Sequence, residues 1–99
     1  MIIEVYQRHI DRGFGGKGAE LLCPIAVAMT EQLGMRVGVW GGKAFIVATG
    51  EYYVLPDHAT IAYIKYDKGR PMKPFSFEVG EKHPPLPRKS KEEAQAAVA

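Results

Sequence analysis

Cysteine is almost absent from this chain, and its scarcity excludes a good deal. A single residue, Cys23, cannot close an internal disulfide, so a reducing, cytoplasmic setting fits best. One cysteine also gives no C-x-x-C pair, and His9, His58 and His83 stand far apart, so no metal cluster is expected. Serine is nearly as scarce. Ser76 falls in a presumed strand and Ser90 in the tail, which leaves a Ser–His–Asp arrangement poorly supplied. Long apolar runs are missing too. The longest, from Leu21 to Met29, is too short to cross a bilayer, and Glu4, Arg8 and Asp11 break up any reading of the first residues as a signal peptide. The formal charge of +2 is too small to point to nucleic acid by itself. Neither a cofactor nor a membrane is expected.

What remains is a globular composition. The 99 residues are 46% hydrophobic and 10% aromatic, which suits one domain with a modest core. Ile2 to Tyr6 reads as a short strand and Gln7 to Arg12 as one helical turn. Pro24 opens a helix, Ile25, Ala28, Met29 and Leu33 follow at helical spacing, and Gly34 ends it. Met35 to Val39, Ala44 to Thr49 and Glu51 to Leu55 form a meander, with Gly41-Gly42 as the positive-φ hairpin turn. A second helix starts at Pro56-Asp57, carries an apolar stripe of Ile61, Ala62, Ile64 and Tyr66, and closes at Gly69. Pro74 to Val79 is a last strand. The expected fold is α+β: an antiparallel sheet centred on a meander over about 35–55, with two helices, about 24–33 and 57–67, on one face. Residues 1–79 form the domain, and 80–99 form an extended or frayed tail that the fold does not need.

The stretch "RGFGGKGAELLCPIAVA" (12–28) holds G-x-G-x-x-G at Gly13, Gly15 and Gly18. A dinucleotide loop needs a strand directly before the first glycine and a helix starting inside the motif. Here Gln7 to Arg12 intervene, and Pro24 comes six residues after Gly18. There is no acidic residue between Glu31 and Glu51 for a ribose, and no G-K-[ST]. The segment reads as a surface loop. Arg12, Phe14 and Lys17 on it suit partner binding, with Phe14 offering apolar area and the cations offering steering.

Cys23 precedes a helix N-terminus, a place that lowers a thiol pKa. His9 as base, oriented by Asp11 or Glu20, would complete a cysteine enzyme. The alternative is a small buried residue, and free cysteines are most often buried. Basic residues gather near the loop (Arg8, Arg12, Lys17) and around the second helix end (Lys65, Lys68, Arg70, Lys73). If the two groups converge, they form a phosphate-sized patch, and Trp40, Tyr52 and Tyr53 would then stack bases. Pro84 and Pro87, followed by Lys89, have the spacing of a ligand for an aromatic-lined groove, though a stiff spacer is the simpler account.

Four pieces, "HIDRG" (9–13), "CPIAVA" (23–28), "LPDH…YDKGRP" (55–71) and "PFSF" (74–77), together resemble a group of small phage and bacterial proteins. That group shares an HI-x-x-G start, a CP-[IV]-A-x-A helix opening, an [FY]-D-x-G helix end and a PF-x-F strand. No established activity of the group carries over, and the resemblance covers residues 1 to about 79. It implies a phage or prophage origin. By analogy, the expectation is a non-enzymatic interaction protein that binds a host protein or complex, for instance as an inhibitor. A nucleic-acid-binding accessory protein and a small cysteine-dependent enzyme are the alternatives, and a homo-oligomer fits any of them.

Overall fold

Local signals set most of the element boundaries. The computed structural model describes residues 1–13 and 21–86. In chain order it contains β1 (Ile2–Val5), α1 (Gln7–Arg12), α2 (Pro24–Leu33), β2 (Val37–Trp40), β3 (Lys43–Ile46), β4 (Tyr52–Val54), α3 (Asp57–Asp67) and β5 (Phe75–Glu78). Among these residues no helix is long and apolar enough to cross a membrane.

The fold is α+β, as the sequence predicts, and the meander β2–β3–β4 is a three-stranded antiparallel sheet. The first and last strands add a separate two-stranded sheet, β1–β5, in which Ile3 faces Phe77 and Val5 faces Phe75. Ile3, Val5 and Phe77 are buried while Ile2, Glu4, Ser76 and Glu78 are exposed, the period-two pattern of a strand covered on one side. Gly41 and Gly42 take φ of 60° and 75°. This is the left-handed pair that a two-residue hairpin demands, because its twist then matches that of the strands.

Helix α2 begins where Pro24 has no N–H to lose. The Cys23 sulfur accepts a hydrogen bond from the Ala26 amide at 3.5 Å, and Gly34 closes the helix at φ 70°. Its inner residues Ile25, Ala26, Ala28 and Met29 are all but fully buried. The helix packs against α1, β1, β2 and α3, so it touches strands of both sheets. Val37, Val39, Ala44, Leu55, Ala59 and Tyr63 complete the core on the meander side.

Two readings of apolar runs need correction. Ala44 to Thr49 does not continue as a strand, since β3 ends at Ile46. The Ile46 carbonyl accepts from the amides of both Thr49 and Gly50, at 3.3 and 2.7 Å, and Gly50 at φ 80° turns the chain. The stripe on α3 is also rotated. Ala59 and Tyr63 are its buried residues, while Ile61 and Ile64 are 51% and 41% exposed. Tyrosine hydroxyls explain the rotation. The Tyr63 oxygen accepts the Gly42 amide at 2.9 Å, and the Tyr66 hydroxyl donates to the Gly13 carbonyl at 2.9 Å. An aromatic body with a polar tip gains from a buried site with a partner at its end, which an isoleucine cannot exploit.

The chain also remains in contact with the fold past residue 79. Lys82 and His83 lie along β4, and Pro85 lies against Gly50, so the first residues of the expected tail dock on the meander. Residues 87–99, including Pro87 and Lys89 of the proline motif, are outside the described residues.

The rotated α3 face gives a direct check. Ile61→Gln and Ile64→Gln should each change stability by no more than about 0.5 kcal/mol. Ala59→Leu, at a position with no exposed surface, should cost about 1–3 kcal/mol through overpacking. Denaturant titration of the variants measures both.

Candidate functional site

The sequence offered three places for chemistry, and the structure treats each differently. The pairing of Cys23 with His9 does not assemble. His9 is buried, and its Nδ1 accepts the Tyr6 amide at 2.9 Å. Its proton therefore sits on Nε2, which faces the Glu31 carboxylate. With His9 at the third position of α1, this is a helix cap built from an imidazole instead of a carboxylate. Neither Asp11 nor Glu20 orients the ring: Asp11 accepts from the Gln7 side chain at 2.9 Å, and Glu20 is outside the described residues.

Glu31 also accepts from the Arg8 guanidinium, whose Cζ lies over the Tyr6 ring, 4.8 Å from its centre. Arg8 first, and His9 second, hold the Glu31 carboxyl below the usual carboxylate range. A groove of about 240 Å³ lies over this set. Arg8, His9 and Glu31 in its wall bond to one another, and Gln32 donates to the Ile2 carbonyl at 2.7 Å, so these bonds brace α1 and β1 against α2. Cys23 itself is buried, and burial pushes its thiol up to about 11, against a smaller lowering by the amides of Ala26 and Ile25. Desolvation thus outweighs the helix N-terminus.

The basic residues do not form one patch with the aromatics. Arg8 is paired with Glu31. Tyr66 bonds to the Ile10 and Gly13 carbonyls, which brings the end of α1, with Arg12, close to the end of α3, with Lys65 and Lys68. Cations near these helix C-termini complement the exposed carbonyls there. Arg70 and Lys73 are exposed beyond α3. Trp40 and Tyr52 lie across the meander from the helices. Phe14 and Lys17, the heart of the loop proposal, are outside the described residues.

It is that far side of the meander that carries an unusual surface. Val37, Val39, Ala44 and Ile46 are buried on the core side, so alternation and register place Gly38, Trp40, Lys43, Phe45, Tyr52 and Val54 on the outer side. The Trp40 ring stacks on Phe45 at 4.1 Å and 11°. Phe45 meets Tyr52 at 5.5 Å, and Tyr52 stacks on His83 at 5.0 Å and 12°. Gly38 makes this possible: a Cβ there would lie 2.6 Å from the Trp40 ring and 3.1 Å from the Leu21 side chain. The indole therefore folds back across the bare backbone of its own strand. Leu21, the first described residue after the glycine loop, joins the same surface.

The sequence reading named Trp40, Tyr52 and Tyr53. Tyr53 pairs with Ala44 and packs against the core, so it does not belong to this face. The reading missed Gly38, Phe45, Val54 and His83. A signal for three of these existed. A two-residue Gly41-Gly42 turn pairs Trp40 with Lys43 and Gly38 with Phe45, which puts them on one face, and Val54 follows from the next pairing.

No family model, no curated protein and no solved structure matches the chain.

The state of Cys23 is testable. Native protein should resist iodoacetamide at neutral pH, while unfolded protein reacts. The unfolded thiol ionises near 9 and the folded one near 11, so the unfolded state binds fewer protons in this window and stability falls as pH rises through it. Comparing denaturant midpoints across this window should show an extra loss on the order of 2 kcal/mol in the wild type that Cys23→Ala lacks.

Proposed function

We propose that the chain is a non-enzymatic interaction protein that docks a partner protein on the outer face of the meander. The observation that carries this reading is the stacked row Trp40, Phe45, Tyr52 and His83, in which Trp40 stays 45% exposed beside Val54 at 50%. A rigid indole and phenol held in place by neighbours lose little entropy on binding, and such residues dominate interface energetics. Aliphatic Leu21 and Val54 around them supply the area that excludes water.

Two features weigh against nucleic acid. The rings stack on one another, so much of the aromatic face that a base would need is already covered. Among the described residues, Arg12, Lys65 and Lys68 gather at the ends of α1 and α3, while Lys43 stands in the aromatic row and Lys82 beside it is paired with Glu51. The cysteine-enzyme reading is weakened by a buried, protonated thiol with no base assigned to it. The resemblance to small phage proteins supports a host protein or complex in the cytoplasm as the partner, with inhibition as the outcome, and we include the loop residues Arg12, Phe14 and Lys17 in the proposed partner-binding set.

Affinity capture from bacterial lysate, with and without nuclease, tests the reading. Wild-type protein should retain a protein partner regardless of nuclease. The double variant Trp40→Glu, Val54→Lys should lose it by more than roughly tenfold while its thermal melt stays cooperative. Capture that survives in the double variant would take recognition away from this face. Capture abolished by nuclease would assign it to nucleic acid.

A further inference from the structure

The chain supplies its own example of what the β4 edge accepts. Tyr52 and His83 exchange both backbone hydrogen bonds, Tyr52 N–H to the His83 carbonyl at 3.1 Å and His83 N–H to the Tyr52 carbonyl at 2.7 Å. This is a one-residue antiparallel bridge. Lys82 reaches Glu51 at 3.4 Å, and the His83 ring covers Tyr52. Pro85 sits where Gly50 leaves room, 3.4 Å from the place a Cβ would occupy. The bridge cannot lengthen past His83, because Pro84 and Pro85 have no N–H to donate.

This seat is incompletely used. Residues 81–86 are all exposed. A groove of about 480 Å³ stays open between Pro85 and Leu86 on one side and Phe45, Val47 and Thr49 on the other. By the alternation of the ladder, Val54 offers its amide and carbonyl to the same edge two residues on. Among the described residues, one bridge, one ring pair, one ion pair and the Pro85 contact at Gly50 hold the segment, so a strand of like chemistry that also fills the groove would displace it.

We propose that the β4 edge and this groove bind an extended, proline-containing segment of a partner protein, and that residues 82–86 occupy the site in cis as a competitor. The ligand chemistry is read from the occupant. A cation faces Glu51, a histidine or aromatic ring bridges to Tyr52, prolines follow along Gly50, and an aliphatic side chain lies at the groove wall, as Leu86 does. Backbone pairing gives affinity and the side-chain sites give choice of sequence. A proline-rich strand is already extended and loses little entropy on binding. The inference rests on the outer face being a protein-binding surface and names the kind of segment it takes.

The test uses a fluorescein-labelled peptide GEKHPPLPRK, the sequence of residues 80–89, titrated by anisotropy against full-length chains. The variant His83→Ala, Leu86→Ala weakens the cis segment and should bind the peptide about tenfold more tightly than wild type, because the site is no longer self-occupied. Adding Tyr52→Ala should abolish binding. Val47→Glu, at an exposed wall of the groove, should do the same and keeps the test decisive if Tyr52→Ala unfolds the chain. A peptide with alanine at the His and Leu positions should not bind. Equal affinity for wild type and variant, or none for the variant, overturns the proposal. So does a wild-type dimer that the peptide cannot dissociate, which would give the groove to a second copy, or oligothymidylate that displaces the peptide, which would give it to nucleic acid. Each of these outcomes leaves the capture test on Trp40 and Val54 to be judged separately.

Discussion

The packing of α2 against both sheets is the contact on which the remaining architecture rests. The two-stranded and three-stranded sheets do not share a ladder; α2 packs on β1 of one and β2 of the other. Its inner face is small at Ala26 and Ala28 and large at Ile25 and Met29, all nearly or fully buried. Small residues let the helix approach closely, and large ones fill what lies between the sheets. The Cys23 cap, the Pro24 start and the Gly34 stop define the length of that helix, and with it the stretch of chain that lies against both sheets.

Around this helix, charged and titratable groups serve architecture more than chemistry. His9 caps α1 from the inside, Glu31 on α2 receives it, and Arg8 bonds the same carboxylate from the solvent side, where both side chains stay about half exposed. The three residues tie α1 to α2 through electrostatics, where short apolar contacts alone would leave a six-residue helix weakly held. Such a group resembles an acid–base site in composition. Its closed hydrogen bonding and its place at a helix start give it a structural purpose.

How far the sequence could be read follows the range of the forces involved. Helix α2 was legible because proline, cap and glycine act within a few residues, and the β2–β3 hairpin because Gly41-Gly42 admits few turns. The true face of α3 was not. Its rotation is set by hydroxyl bonds from Tyr63 to Gly42 and from Tyr66 to Gly13, partners 21 and 53 residues away. The docking of His83 on Tyr52 is another distant contact that composition does not announce. At the candidate site, Trp40 and the pair Tyr52-Tyr53 stood out as aromatics, with only register to show that Tyr53 faces the core, and Phe45 was hidden inside an apolar run that looked like ordinary core. Phe45 does sit at the boundary, at 9% exposure, and only strand register separates it from its buried neighbours Ala44 and Ile46.

The chain has one tryptophan, and it lies on the outer face of the meander, clamped over Gly38 and Phe45. Its indole is partly wet, and its emission wavelength responds to how much water surrounds it. Intrinsic fluorescence of the unlabelled protein therefore reports on that one surface without a contribution from an indole in the core. Covering the face would shift the spectrum to the blue, and loosening the stack over Gly38 would shift it to the red, so one optical signal distinguishes an occupied surface from a disordered one.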